Sequence, residues 1–123
     1  YVQDNIKKEK ILLLNNDPLS FIDFVIKIKD SYDVKQINSL LELSKEIKDN
    51  KYFIIVVDMD KISQIDFKRI INNIYNKVIL ISSENEIIEQ EIINTTIKQL
   101  KKPFDTNKLI SYISSIKDTN EKV

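Results

Sequence analysis

The run FIIVVD, Phe53–Asp58, sets five apolar residues, four of them β-branched, against a carboxylate. A run that short and that continuously apolar predicts a strand buried on both faces, as in a parallel sheet with helices on either side. ILLL at 11–14 and VILIS at 78–82 have the same character, and DVKQI at 33–37 and IKQL at 97–100 are weaker versions of it. Helical spacing fills the intervals. It places Phe21, Val25 and Ile28 on one face of 18–30, Leu40, Leu43 and Ile47 on one face of 39–49, and Phe67, Ile70, Ile71 and Ile74 within 63–75. Ile88 and Ile92 mark a fourth helix in 85–94, and Leu109, Tyr112, Ile113 and Ile116 a fifth in 105–117. Asp17 before Pro18, Ser39 with Glu42 three residues on, and Asp105 after Pro103-Phe104 are start signals for three of these helices.

Five strands alternating with five helices predict an α/β fold, a doubly wound parallel sheet, since right-handed crossovers leave few other topologies. The chain reads as one domain, 1–123, with its core at about 10–117. Ligands of such sheets sit beyond the C-terminal strand ends. The residues there are Asn15, Asn16 and Asp17, then Asp58 and Asp60, then Ser82 and Ser83, then Lys101 and Lys102. Carboxylates, hydroxyls and an ammonium are therefore expected on one edge, with Lys101 turned to solvent.

Composition removes whole classes of chemistry. Without Cys or His there is no thiolate, no imidazole base and no ordinary zinc site. Without Gly there is neither a dinucleotide-binding glycine loop nor a phosphate loop of the GxxxxGK type. Nineteen basic and nineteen acidic side chains cancel, so no nucleic-acid footprint is expected. No apolar run approaches the roughly 20 residues of a membrane span, and a cytoplasmic location is expected. Ala is also missing while Ile, Lys and Asn abound, a drift toward AT-rich codons that erodes small-residue motifs.

FIIVVD ending in Asp58, VILISS with Ser82 followed by Ser83, and KKPF with Lys102 before Pro103 fall in the order and spacing of a known family. Over Lys10–Lys117 the chain resembles the receiver domains of bacterial two-component response regulators. The resemblance implies the flavodoxin-like receiver fold with strand order 2-1-3-4-5, and a non-enzymatic signalling role. It also implies that Asp58 is the phosphoacceptor, that Ser82 and Lys102 contact the phosphoryl oxygens, and that the Lys102–Pro103 bond is cis. A Mg²⁺ ion would be held at the positions of Asn15, Asn16, Asp58 and Asp60, the last through its backbone carbonyl. Implied partners are a histidine kinase or another signalling protein, an output domain in the same full-length chain, and a second copy in a homodimer.

The departures concentrate on the metal. Receivers usually end the first strand with two adjacent acids, and Asn15 and Asn16 stand there, with Asp17 one step too late. Two neutral amides remove two negative charges from a cation that prefers carboxylate oxygens, so Mg²⁺ binding is expected to be weak or lost. The aromatic three residues before the Lys is Gln99, the Pro after the acceptor is replaced near Ile62, the Gly of the next turn by Asp66 or its neighbour, and the Gly-Ala before the fifth strand by Thr95-Thr96.

The expected function is an atypical receiver, a protein-interaction or dimerisation module with weak or absent Mg²⁺-dependent phosphorylation. The alternative is a working receiver phosphorylated on Asp58 by a histidine kinase. A third reading, an unrelated small-ligand domain, requires Lys102 far from Asp58. The apolar stripe of Ile87, Ile88, Ile92 and Ile93 is wider than one sheet contact needs; extra core is the default reading, and if the stripe is a partner surface Ile87 and Ile93 are its candidate interface residues.

Overall fold

The computed structural model describes residues 8–71 and 77–121. Within them β1 (Glu9–Leu14), β2 (Tyr32–Ile37), β3 (Ile54–Asp58), β4 (Val78–Ser83) and β5 (Lys98–Lys102) form one parallel sheet in the order 2-1-3-4-5. The helices α1 (Pro18–Ile28), α2 (Leu40–Asp49), α3 (Gln64–Ile70), α4 (Gln90–Thr95) and α5 (Thr106–Glu121) make the crossovers. The doubly wound receiver fold is as expected from the sequence. No helix among the described residues is long and apolar enough to cross a membrane.

The period of two along each strand sorts the core into two layers. Leu12, Leu14, Val57 and Leu80 face Leu43 of α2, Phe67 of α3 and Ile92 of α4. Ile11, Leu13, Val56, Ile79 and Ile81 face Phe21 and Phe24 of α1 and Leu109 and Ile113 of α5. The three inner strands are thus apolar on both sides, whereas the edge strands β2 and β5 bury few residues. This is why DVKQI and IKQL were the faint signals.

Two elements differ from the sequence expectation in ways that matter for the site. β5 runs to Lys102 rather than stopping at Leu100, because Ser82 and Ser83 of β4 pair with Lys101 and Lys102. α4 begins at Gln90, not near 85, and so does not include Ile87. A turn closes from Glu86 N–H to the Ser83 carbonyl at 3.0 Å. The side-chain amide of Gln64 then donates to the Ile87 carbonyl at 2.7 Å and accepts from Glu89 N–H at 2.9 Å. Those backbone groups would otherwise pair inside a helix; Gln64 takes them and holds the segment extended. α3 ends at Ile70, and the expected face residue Ile74 lies outside the described residues.

Ile87 is 85% exposed, while Ile93 is half-buried against the α2–α3–α4 layer. The two are not equivalent surface positions, because Ile93 is spent on the core. Ile87→Lys is expected to leave stability within about 0.5 kcal/mol, and Ile93→Lys to cost about 1–3 kcal/mol. Urea unfolding of the two variants checks the contrast.

Candidate functional site

Period two also decides which strand-end side chains meet. Asp58 follows Ile54 and Val56 on the α1–α5 face, and Lys102 follows Leu100 on the same face. The Lys102 ammonium reaches Asp58 Oδ2 at 2.8 Å across the end of β4. That contact removes the reading that needs the two far apart. Asp58 is fully buried and Lys102 partly so, with its ammonium 6.0 Å from the Phe21 ring centroid. The Lys102–Pro103 peptide is cis.

Asp60 joins this pair through its side chain. Its Oδ2 accepts from Lys102 at 3.1 Å and from the Ser83 hydroxyl, and its Oδ1 accepts from Ser83 N–H at 2.9 Å. Asp60 N–H in turn donates to Asp58 Oδ1 at 3.1 Å. One ammonium therefore bridges two carboxylates, and a hydroxyl and two backbone amides supply further donors. The direction of the Asp60 side chain, and with it the part played by Ser83, was not readable from the sequence; the parity of Ser83 with Ile79 and Ile81 was the available signal.

Ser82 is buried but lies on the other parity. Its hydroxyl accepts from Lys101 at 3.2 Å, and Lys101 also donates to the Glu86 carbonyl at 3.1 Å. Lys101 is exposed, as expected, and its ammonium also reaches back to Ser82. The structure brings Asp58, Asp60 and Lys102 together, and its contacts give Ser82 to Lys101 instead.

Asn15 and Asn16 are also engaged. Asn15 is 4% exposed, and its amide donates to Gln36 Oε1 at 3.3 Å. Asn16 Nδ2 donates to the backbone carbonyl of Asp60 at 3.1 Å. Asp17 is the N-cap residue of α1, where its carboxylate accepts from the Ser20 hydroxyl at 2.6 Å. After Asp58 the chain turns with Ile62 N–H on the Met59 carbonyl at 3.1 Å, and Lys61 takes φ 64°, a left-handed position that glycine would occupy without strain.

The charges of the pocket depend on one another. Burial alone would raise the Asp60 pKa, but the hydrogen bonds from Ser83 and Lys102 outweigh it and hold it below the ordinary value. Burial likewise works against the charged Lys102, and its bonds to Asp58 and Asp60 reverse this and raise its pKa. Asp60 thus contributes stability that is present above its unfolded pKa and lost as pH falls through the lowered folded value. Lys102 contributes stability that is present below its unfolded pKa and lost as pH rises through the raised one. The urea midpoint is expected to be level from about pH 5 to pH 10 as far as these groups set it. It should fall on the acid side, with Asp60→Asn flattening part of that fall.

No protein-family model and no curated protein matches the sequence. Solved structures do match. The receiver domain of the Francisella response regulator 1452 is 22% identical, with a TM-score of 0.76 over 92% of this chain and 99% of that one. A two-component response regulator from Clostridium difficile is 20% identical, with a TM-score of 0.74 over 89% and 95%. A streptococcal protein from a family of redox sensors, described as evolved from two-component response regulators, is 16% identical, with a TM-score of 0.76 over 92% of this chain and 52% of that one. At these identities the likeness is one of fold, and the fold it shows is that of the receiver domain.

Proposed function

We propose that this chain is a receiver module of bacterial two-component signalling that acts through protein–protein contact, with Mg²⁺-dependent phosphorylation of Asp58 slow or lost. The observation that carries the reading is the Lys102 ammonium bridging Asp58 and Asp60 while the Asn16 amide donates to the Asp60 carbonyl. Mg²⁺ takes six oxygens in near-octahedral array and is usually held by one or two carboxylates. Here the carbonyl at the implied metal position already accepts from an amide, the Asp60 carboxylate is turned to Ser83 and Lys102, and Asn15 and Asn16 bring no charge. Among the described residues no three acidic, His or Cys side chains are grouped as a metal site. These donors do not fit Mg²⁺.

Lys102 and the amides instead keep the pocket closed, with Asp58 neutralised in place. The streptococcal protein of similar fold is described as a redox sensor evolved from two-component response regulators. The partner in this reading is a histidine kinase or other signalling protein, a second copy, or an output domain of the same chain. Exposed Ile87 on the Gln64-held segment is the apolar contact point.

Intact-mass spectrometry after incubation with millimolar Mg²⁺ and acetyl phosphate tests the reading. The chain is expected to stay unmodified, with rapid addition of one phosphoryl group to Asp58 overturning it. The second reading, a working phosphoacceptor, is favoured by one feature, the placement of Lys102 within 2.8 Å of Asp58.

A further inference from the structure

Parallel strands all begin on one edge of their sheet, so the residues that open them converge there, as the residues that close them converge at Asp58. Lysines stand at the start of each inner strand: Lys8 and Lys10 at β1, Lys51 just before β3 and Lys77 just before β4. Phe53 N–H donates to the Lys10 carbonyl at 2.8 Å and Ile97 N–H to the Val78 carbonyl at 2.9 Å, which ties this edge together from β1 across to β5. A cavity of about 630 Å³ opens there, and all four lysines line it, with Glu9.

The chain as a whole has 19 basic and 19 acidic side chains, whereas this lining has four lysines and one acid. The C-terminal ends of α1 and α2 lie beside it, since the Lys8 ammonium donates to the carbonyl of the α1 C-cap residue Lys29 at 3.1 Å and Lys51 follows the α2 C-cap residue Asn50. Each helix end carries about half a negative charge, so Glu9 and the two ends together leave about two positive charges. None of the four lysines is in an ion pair among the described residues. The Lys77 ammonium is held at the lining itself, on the Tyr52 carbonyl at 3.4 Å, and that bond uses one of its three N–H groups. Lys10 and Lys51 are exposed, on flexible four-carbon stems rooted in the lining.

The rest of the lining is apolar. Phe53, Ile97 and Ile116 are half-buried against the α1–α5 layer of the core, and Ile54 is fully buried. The one uncharged polar side chain, that of Tyr52, is buried and donates its hydroxyl to Glu46. A sugar or a nucleobase would find no side-chain amide and no free hydroxyl to pair with. A cavity of this size, apolar over much of its wall and with a few charged groups of one sign, has the make-up of a small-molecule site. We propose that it binds an anionic amphiphile, a phosphate-type head of two negative charges among the lysines with an alkyl or aryl body against Phe53, Ile97 and Ile116. Asp58 stands at the other end of β3 and takes no part.

The test is an NMR titration of the whole chain at pH 8 with octyl phosphate below its micelle concentration, beside inorganic phosphate, octanol and octanoate. Octyl phosphate should shift the backbone amides of Phe53, Lys77, Ile97 and Ile116. It should bind at least tenfold more tightly than inorganic phosphate, which the burial of about two methylene groups supplies. It should also bind about tenfold more tightly than octanoate, the worth of one charge-assisted hydrogen bond. Lys51→Gln with Lys77→Gln should weaken it at least tenfold with the urea midpoint unchanged, since an amide can still donate to the Tyr52 carbonyl. Inorganic phosphate or octanoate binding as tightly as octyl phosphate overturns the proposal, as does octanol giving the same shifts. Unchanged binding by the double lysine variant, a response to anionic phospholipid vesicles with none to monomeric octyl phosphate, or no shifts at all also overturn it. None of these results depends on whether Asp58 is labelled by a phosphodonor, so this proposal and the signalling reading fail separately.

Discussion

Changing Asn15 and Asn16 together to Asp is expected to raise Mg²⁺ affinity by about a hundredfold, each added carboxylate being worth about tenfold. Labelling of Asp58 by acetyl phosphate should rise with it. Asn and Asp have the same size, so packing around β1 should survive and the change is one of charge. Without metal the variant should be less stable than the parent. A carboxylate at position 15 would be nearly buried against Gln36 Oε1, and one at position 16 would face the Asp60 carbonyl that the Asn16 amide now serves. Mg²⁺ should restore that loss by binding only the folded form. The check is a urea midpoint that is low in EDTA and rises with Mg²⁺, together with labelling that Asp58→Asn abolishes. A variant that neither binds Mg²⁺ nor labels would place the defect elsewhere in the pocket.

Lys102→Met is expected to destabilise the chain by about 3 kcal/mol at pH 7, because it leaves the fully buried Asp58 without its counter-charge and beside a second carboxylate, Asp60. The methionine keeps most of the stem volume against Phe21, so the loss reports charge rather than a cavity. Asp58→Asn in the same chain should recover most of it, since an uncharged amide needs no ammonium. A double-mutant cycle by urea unfolding measures this. A small single-variant loss, or no recovery, would mean that water reaches Asp58 and that Lys102 does not hold the pocket closed.

Part of the site was legible because strand ends in a parallel sheet converge. Asp58 closes a strong apolar run and Lys101 and Lys102 follow a faint one, so their common edge could be read from chain order, while the choice of Lys102 came from the resemblance carried by KKPF. Ser82 against Ser83 could not be settled by type, since both are serines at the end of β4. The pleat puts Ser83 toward Asp60 and Lys102 and Ser82 toward Lys101. The start of α4 was misplaced for a related reason: 85–94 has helical apolar spacing, and the hydrogen bonds that hold Ile87–Glu89 extended come from Gln64, more than 20 residues away.

What the sequence by itself determined is the αβ alternation, the doubly wound sheet and the edge on which the polar residues gather. Those follow from apolar runs of strand length, helical periodicity and the handedness of crossovers, all of which are local or nearly so. Only the tertiary structure decided which atoms that edge turns toward one another. The Asp60 carboxylate goes to Lys102, the Asn16 amide goes to the Asp60 carbonyl, and the Asn15 amide goes to Gln36. Side chains of one kind can donate or accept in several directions, and the choice is made by partners that the fold brings from other strands.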